Sequence, residues 1–531
     1  MRCSQMDKKY TAITFAPVQG FIEKSRKLRD LYGASIILSY LSQQLVKAAE
    51  DQHHLKVISP AIANIQKGMP NRILIKGDFS QKDAEQVILS RWKNILKVCR
   101  LWIEEKVPDT YHWEREWSLW GSHTWEIFWG SGDNIEDAMK DLETNKLSRD
   151  WTAINWVGES SSLTGTDAIA FPRLGAENRN PKNMNYHSEK EEIEEFYTEL
   201  AKITQEKSDT PEGKFIAHNE KLSIPELVKR LVTWPDINEE LEMQNLDKSF
   251  KEIQRKPTKT TEGQWTGWFM GDGDKVGDHL KELARKNNGL EEIKKFSYAM
   301  RNWGKQFDEK FNLREKLGRV VYAGGDDFLG IIYSENPCEP IPPLKAYQWV
   351  MTLKNKWKEH EQDITVSVGF VWVAGSVPQR DVLQHCREAV KVAKSLRRDR
   401  VTIRVVFNSG QYVQWTCPWD YLDILTKYRD RDGKTLAEWE CKGRHKNDFP
   451  NWSHVYSDLA QLKARHAINL SAKGNNVDER IALSLFNIYF DQQKQYLEDN
   501  QEKIVGNSDN LELIKWIDSL IHIGWHLCSS I

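Results

Sequence analysis

Cysteine is scarce: seven in 531 residues, none in a Cys-x-x-Cys pair and none between Cys99 and Cys338. That argues against a disulfide frame and for reduced, buried thiols in a cytosol. Long apolar runs are missing too. Nothing approaches the ~20 residues a membrane span needs, so no membrane partner is expected. The polar start, Met1 to Lys9, lacks the apolar core of a signal peptide, and a cytoplasmic location is expected. Net charge is nearly absent, with 75 Lys and Arg against 77 Asp and Glu, so any nucleic-acid contact has to be local. The fourteen histidines show no His-x-x-x-His spacing beside an acid, and no catalytic metal is read from them. Tryptophan, by contrast, is abundant at 22. Some can stack on unpaired bases, but the cluster Trp113, Trp117, Trp120, Trp125 and Trp129 reads as core or subunit interface.

Two acidic corners carry the chemistry. From Val320 to Ile332, apolar β-prone runs flank Gly324, Gly325, Asp326 and Asp327, a hairpin signal whose glycines let the backbone turn without a Cβ clash. Alone, such a corner is equally an ordinary surface turn. The second corner lies upstream, where an apolar run ends at Asp272, followed by Gly273 and Asp274. A strand ending at Asp272, a helix and then the hairpin make half of a βαββαβ ferredoxin-like unit, in which the first strand ends beside the hairpin tip. Asp272 and Asp326 are then expected to converge on one site. Hard oxygen ligands so presented suit Mg²⁺ or Mn²⁺, and two such ions serve nucleotidyl transfer by activating a hydroxyl and neutralising a leaving pyrophosphate.

Together, Gly271-Asp272-Gly273-Asp274 and Gly324-Gly325-Asp326-Asp327 resemble the polymerase/cyclase palm in the large subunit of type III CRISPR effector complexes. The run Ile364 to Val371, the helix with Ala393-Lys394, and the strand Val401 to Phe407 ending in Ser409-Gly410 resemble the elements that follow in that family. Nearer the start, Ile13 to Ile22 looks like the opening of its first palm, with Arg29-Asp30-Leu31 and Ser35 on the helix. Gly68 to Arg72, and Leu222-Ser223 through Val228 to Leu231, match further landmarks. The resemblance implies ATP as substrate and a cyclic oligoadenylate product made when target RNA is bound. It also implies CRISPR RNA and other effector subunits as partners. In these terms Asp272, Asp326 and Asp327 bind the two cations, with Gly273 supplying a carbonyl; Asp274 tunes the site and Ser367 faces the adenine. Two rival readings stay open: a catalytically silent palm-fold scaffold, and a freestanding nucleotide cyclase.

The fold expected is α+β and multidomain: a first palm at 1–156, an inserted small domain at 157–261, a second palm at 262–410 and a helical C-terminal domain at 411–531. The first palm starts with a strand, Tyr10 to Phe15, and a helix from Gly20 to about Leu45. Pro17 and Gln19 stand where the second half has Asp272 and Asp274, so this palm is expected to be catalytically empty. In the family the insert carries a cysteine-ligated zinc module; here Ser161-Ser162-Leu163-Thr164-Gly165 occupies that place and no zinc is expected. Lys248 to Gly263 reads as a flexible linker. After Asp381 the spacing of Val382, Cys386, Ala389, Ala393 and Leu396 defines a buried helix stripe, and its basic side offers Lys391, Lys394, Arg397 and Arg398 to a triphosphate. In the C-terminal part, Asp478 begins a helix with Ile481, Leu485 and Ile488 on one stripe, and Asn510 another with Leu513, Ile514, Ile517 and Ile521; Arg444, Lys463 and Arg465 are mostly solvated faces. No counterpart of the phosphohydrolase domain with which many relatives begin is expected in this chain, since His53-His54 follows Asp51-Gln52 in a polar stretch. No DNA cleavage is expected.

Overall fold

The computed structural model describes residues 10–61, 70–148, 154–177, 179, 182, 185–205, 215–244, 246, 250–257, 263–433, 435, 450–470, 476–490 and 493–528. The calls on Met1 to Lys9, Gly68, Met69, Lys248 and Arg444 lie outside them. The fold is α+β, with two sheets and a helical C-terminal region. By internal packing the chain forms two compact units, one of residues 1–254, 277–309 and 321–325, the other of 255–276, 310–320 and 326–531.

The first unit is built on four antiparallel strands, β1 (Tyr10–Ala16), β2 (Lys56–Ser59), β3 (Arg72–Lys76) and β4 (Glu126–Gly132), in the order β2-β3-β1-β4. That is the ferredoxin-like order. β1 is central, and its Thr, Ile and Phe side chains are buried through five consecutive positions, which suits the β-branched and aromatic content of the run. The helix expected from Gly20 is broken into Val18–Glu23 and Leu28–Glu50. The cause is Asp30, whose carboxylate accepts the N–H groups of Arg26 and Lys27 at 2.9 and 3.0 Å and so starts a new helix instead of continuing the old one. Trp113, Trp117 and Trp125 are core residues, and Trp92 meets Trp125 edge-on at 5.7 Å.

Helix Ile224–Leu231 of the insert lies so close to helix Leu28–Glu50 that a Cβ on Gly33 would come within 1.7 Å of the Lys229 carbonyl. Buried charges bind the two helices. Arg230 forks onto Asp30 at 2.8 and 3.0 Å and reaches Glu220 at 2.7 Å, and Lys27 meets the same Glu220 at 2.9 Å. Burial pushes the Asp30 carboxyl up, but Arg230, by charge and hydrogen bond, and then Lys229 outweigh it and pull it down to about 2. In the zinc-module position, Ser161 and Thr164 donate their hydroxyls to Glu226 at 3.1 and 2.7 Å, so a carboxylate ties this loop to the helix. The described residues of the expected linker are anchored too. Glu252 accepts the N–H groups of Leu28 and Arg29, both at 3.0 Å, and buried Arg255 donates to the Ala374 carbonyl at 3.1 Å. Charged composition misleads here because these charges have buried partners.

The second unit holds most of a six-stranded sheet of β5 (Thr266–Gly273), β6 (Gly318–Ala323), β7 (Asp327–Ile332), β8 (Val366–Val373), β9 (Arg400–Val406) and β10 (Tyr412–Pro418), ordered β10-β9-β8-β5-β7-β6. The four strands β8-β5-β7-β6 repeat the ferredoxin-like order. β9 is added parallel to β8 through helix Gln379–Ser395, and β10 antiparallel to β9. Opposite Phe269 on the paired strand stands Gly330, and opposite Phe328 stands Gly271. Each ring lies where the partner glycine's Cβ would be, 2.1 Å from that position.

Helix Asn510–Cys528 packs on β10, where Trp516 Nε1 donates to the Thr416 carbonyl at 2.9 Å. Its stripe of Leu513, Ile514, Ile517 and Ile521 is buried as the spacing predicts. The other stripe is buried only in part. In helix Asn476–Tyr489, Ile488 is 66% exposed, and the buried side carries Ala482, Leu485, Phe486 and Tyr489. Tyr489 and Phe490 both pack on Tyr428, and these larger rings turn the helix away from the aliphatic stripe.

Candidate active site at the ends of β5 and β7

The β5–β7 register sets Asp272 directly opposite Asp327, and the β5–β8 register sets Asp272 opposite Ser367. Just beyond, the Gly273 N–H donates to the Asp326 carbonyl at 2.7 Å. A Cβ on Gly273 would stand 3.1 Å from that of Asp326, so glycine is what lets the strand and hairpin approach. Gly324 and Gly325 form the buried turn, and the guanidinium of Arg301 donates to the Gly324 carbonyl at 3.4 Å. Three carboxylates, Asp272, Asp326 and Asp327, thus share one sheet end by backbone pairing alone.

Their crowding has an electrostatic signature. Burial of the surrounding groove, then the charges of Asp326 and Asp272, push the Asp327 carboxyl up to about 7, against a smaller downward pull from Lys394. The Asp327 side chain itself is exposed, so ions and ligands reach it. Lys394 Nζ lies 2.5 Å from Asp272 Oδ1. The helix that carries Lys394 has the buried stripe Val382, Cys386, Ala389 and Ala393, so the lysine emerges on its half-exposed side.

Asp274 and Ser367 do not join this cluster. The Asp274 carboxylate accepts the hydroxyls of Thr365 and Ser367 at 2.8 and 2.7 Å and the N–H of Asp399 at 3.0 Å. Ser367 is wholly buried, with its hydroxyl given to Asp274. Lys391 is exposed, and Arg397 is ion-paired with Glu502. Lys463, from the C-terminal part, pairs with Asp518 at 2.7 Å. Thr365, Asp399 and Arg301 were not singled out from the sequence. Asp399 is 125 residues from Asp274, and no local pattern announces such a contact.

Among the described residues no group of three or more His, Cys, Asp or Glu side chains is arranged to hold a metal. The donor set nevertheless fits a hard divalent cation. Three carboxylates share one strand end, burial and then the charges of Asp326 and Asp272 raise the Asp327 carboxyl to about 7, and an ammonium already stands against Asp272. Among the described residues, too, no helix is long and apolar enough to cross a membrane.

Residues 266–402 match the family model described as Cas10/Cmr2, second palm domain. Residues 10–97 match the model described as CRISPR-associated protein Cmr2, N-terminal. Among solved structures, a chain of a type III-B Cmr-beta complex in its apo state aligns with a TM-score of 0.58 at 11% identity, over 98% of this chain and 82% of that one. That likeness shows the fold. A chain from a crystal structure of a Csm1-Csm4 cassette in complex with one ATP aligns with a TM-score of 0.48 at 14% identity, over 99% of this chain and 70% of that one. Comparison with curated proteins found no match.

Proposed function

Taking as premise that this chain belongs to the Cas10/Cmr2 family, the large subunit of type III CRISPR effector complexes, we propose that it polymerises ATP into cyclic oligoadenylate when target RNA is bound. The observation that carries the proposal is the register that sets Asp272 opposite Asp327, with Asp326 one residue away on the same hairpin. The 3′-hydroxyl of one ATP attacks the α-phosphate of the next, forming the new O–P bond as pyrophosphate leaves; repetition and ring closure give the product. Asp272, Asp326 and Asp327, with the Gly273 carbonyl, would hold two Mg²⁺ or Mn²⁺ ions, which supply Lewis-acid activation and charge neutralisation.

The protein's own groups do the rest. Burial, then the charges of Asp326 and Asp272, raise the Asp327 carboxyl to about 7, so a bound cation would favour loss of its proton. Lys394 places positive charge beside the same carboxylates, where a leaving pyrophosphate needs it. Fixing both nucleotides in line removes ~7–11 kcal/mol of barrier by itself. CRISPR RNA, target RNA and neighbouring effector subunits are the partners we assign.

One observation favours a silent scaffold instead: the Lys394 ammonium already neutralises Asp272. ATP turnover by the assembled complex decides between the two. Oligoadenylate made with Mg²⁺ and complementary RNA, and not without RNA, supports the synthase. A complex that binds both RNAs yet leaves ATP intact establishes the scaffold.

A further inference from the structure

We propose that Asp274 is a positioning residue: it anchors the left-handed turn Arg397–Asp399 and, through it, holds Lys394 against Asp272. The functional consequence rests on the nucleotidyl-transfer reading of this site.

Arg397, Arg398 and Asp399 have φ angles of 77°, 63° and 48°, three successive non-glycine residues in the left-handed region. L-residues visit that region singly and rarely, and a run of three persists only where the surroundings over-determine it. Here several contacts do so. The Arg398 N–H returns to the Ala393 carbonyl at 3.2 Å, the Asp399 N–H donates to Asp274 Oδ2 at 3.0 Å, and Arg400 Nε donates to the Arg398 carbonyl at 3.1 Å. Of these, only the bond to Asp274 joins the turn to β5. On the far side the turn is braced by the Arg397–Glu502 ion pair and by the Arg400 guanidinium, which donates to the carbonyls of Lys503 and Ile504 at 3.1 and 3.3 Å.

The turn begins three residues after Lys394, so its geometry sets how the last turn of helix Gln379–Ser395 ends. Asp274 is 5% exposed, and its two oxygens already accept three donors. A carboxylate saturated in this way orients the backbone, while Asp272, two residues earlier, keeps its side chain 43% exposed for the reaction. The strand ends at Gly273, so Asp274 lies in the turn just beyond it while Asp272 stays on the strand.

The test compares Asp274→Asn with Asp274→Ala. Asparagine can still accept the Asp399 N–H while its amide donates to Ser367 or Thr365; alanine can do neither. In the purified full chain without nucleotide, Asp274→Ala should speed amide exchange across 398–400 about tenfold or more, and Asp274→Asn should hold it within about threefold of wild type. In the assembled complex, Asp274→Ala should lower kcat about tenfold or more at an unchanged Mg²⁺ half-saturation. Asp274→Asn should restore most of that rate, and Asp274→Ala should add nothing to Lys394→Ala. Asparagine as inactive as alanine, with a raised Mg²⁺ requirement, would make Asp274 a metal ligand and overturn the proposal. Unchanged exchange in the alanine variant would overturn it as well. If the wild-type complex makes no oligoadenylate, the synthase reading fails, and exchange alone then decides whether Asp274 anchors the turn.

Discussion

Asp30 in the first unit and Asp327 in the second are displaced in opposite directions, one down to about 2 and the other up to about 7. Both units carry a ferredoxin-like strand order, so fold does not account for the difference. Partners do. Asp30 is buried with a forked Arg230 and two backbone donors, whereas Asp327 shares its strand end with two more carboxylates. The strand ends differ in the same sense. In the first unit β1 runs into Pro17, and Asn71 closes its end by donating to Thr14 Oγ1 and the Phe15 carbonyl, both at 3.1 Å. In the second unit β5 runs into Asp272, which points outward beside the hairpin. The same scaffold satisfies its polar groups internally in one copy and crowds three carboxylates at one sheet end in the other.

The comparison is tested most sharply where the expected effect is largest. Replacing Asp326 and Asp327 together with Ala should abolish ATP polymerisation while complex assembly and RNA binding persist, since the hairpin tip adds charge rather than core. Full synthesis by that variant would end the assignment, and loss of assembly would favour the scaffold.

In the first unit the consequence should be inverted. Arg230→Ala strands Asp30 as a buried carboxylate without its guanidinium and leaves Glu220 with Lys27 alone, and breaking such a buried pair costs about 3–5 kcal/mol. Denaturant midpoints of the full chain measure it; a loss below about 1 kcal/mol would mean that water reaches the network.

The smallest effect is a pH slope. The raised carboxyl of Asp327 favours the folded state at low pH, and this contribution disappears as pH rises through about 7. Asp30, with its depressed carboxyl, contributes stability above the usual carboxylate range and loses it as pH falls toward about 2. The windows do not overlap. Between about pH 5 and about pH 8, without divalent ions, Asp327→Asn should therefore flatten the fall of Tm with pH. An unchanged slope would assign the repulsion elsewhere.

The sequence made this site legible because its signals are local. Two apolar runs that stop at acidic pairs mark strand ends, and the ferredoxin-like connection then brings Asp272 to the hairpin tip, where the register pairs it with Asp327 rather than with the expected Asp326. The buried stripe of the Lys394 helix was legible for the same reason. Contacts between distant segments were not. Nothing near Asp274 announces Asp399, nothing near Asp30 announces Arg230, and the polarity of 250–257 conceals that Glu252 and Arg255 are buried with partners. Periodicity also fails where two faces of a helix are both apolar, as at Ile488, because ring area rather than spacing decides which one packs.

The two phenylalanine-on-glycine contacts between β5 and β7 give the hairpin a single phase. A slip of one residue would set Phe328 against Met270 or Asp272, and Phe269 against Leu329 or Ile331, while turning every side chain of β7 to the other face. No neighbouring register offers the rings a vacancy. The separation of Asp272 and Asp327 is therefore quantised: it is held at one value or the pairing is lost. Any control over this site has to act on the groups around these strands, because the strands themselves have no intermediate setting.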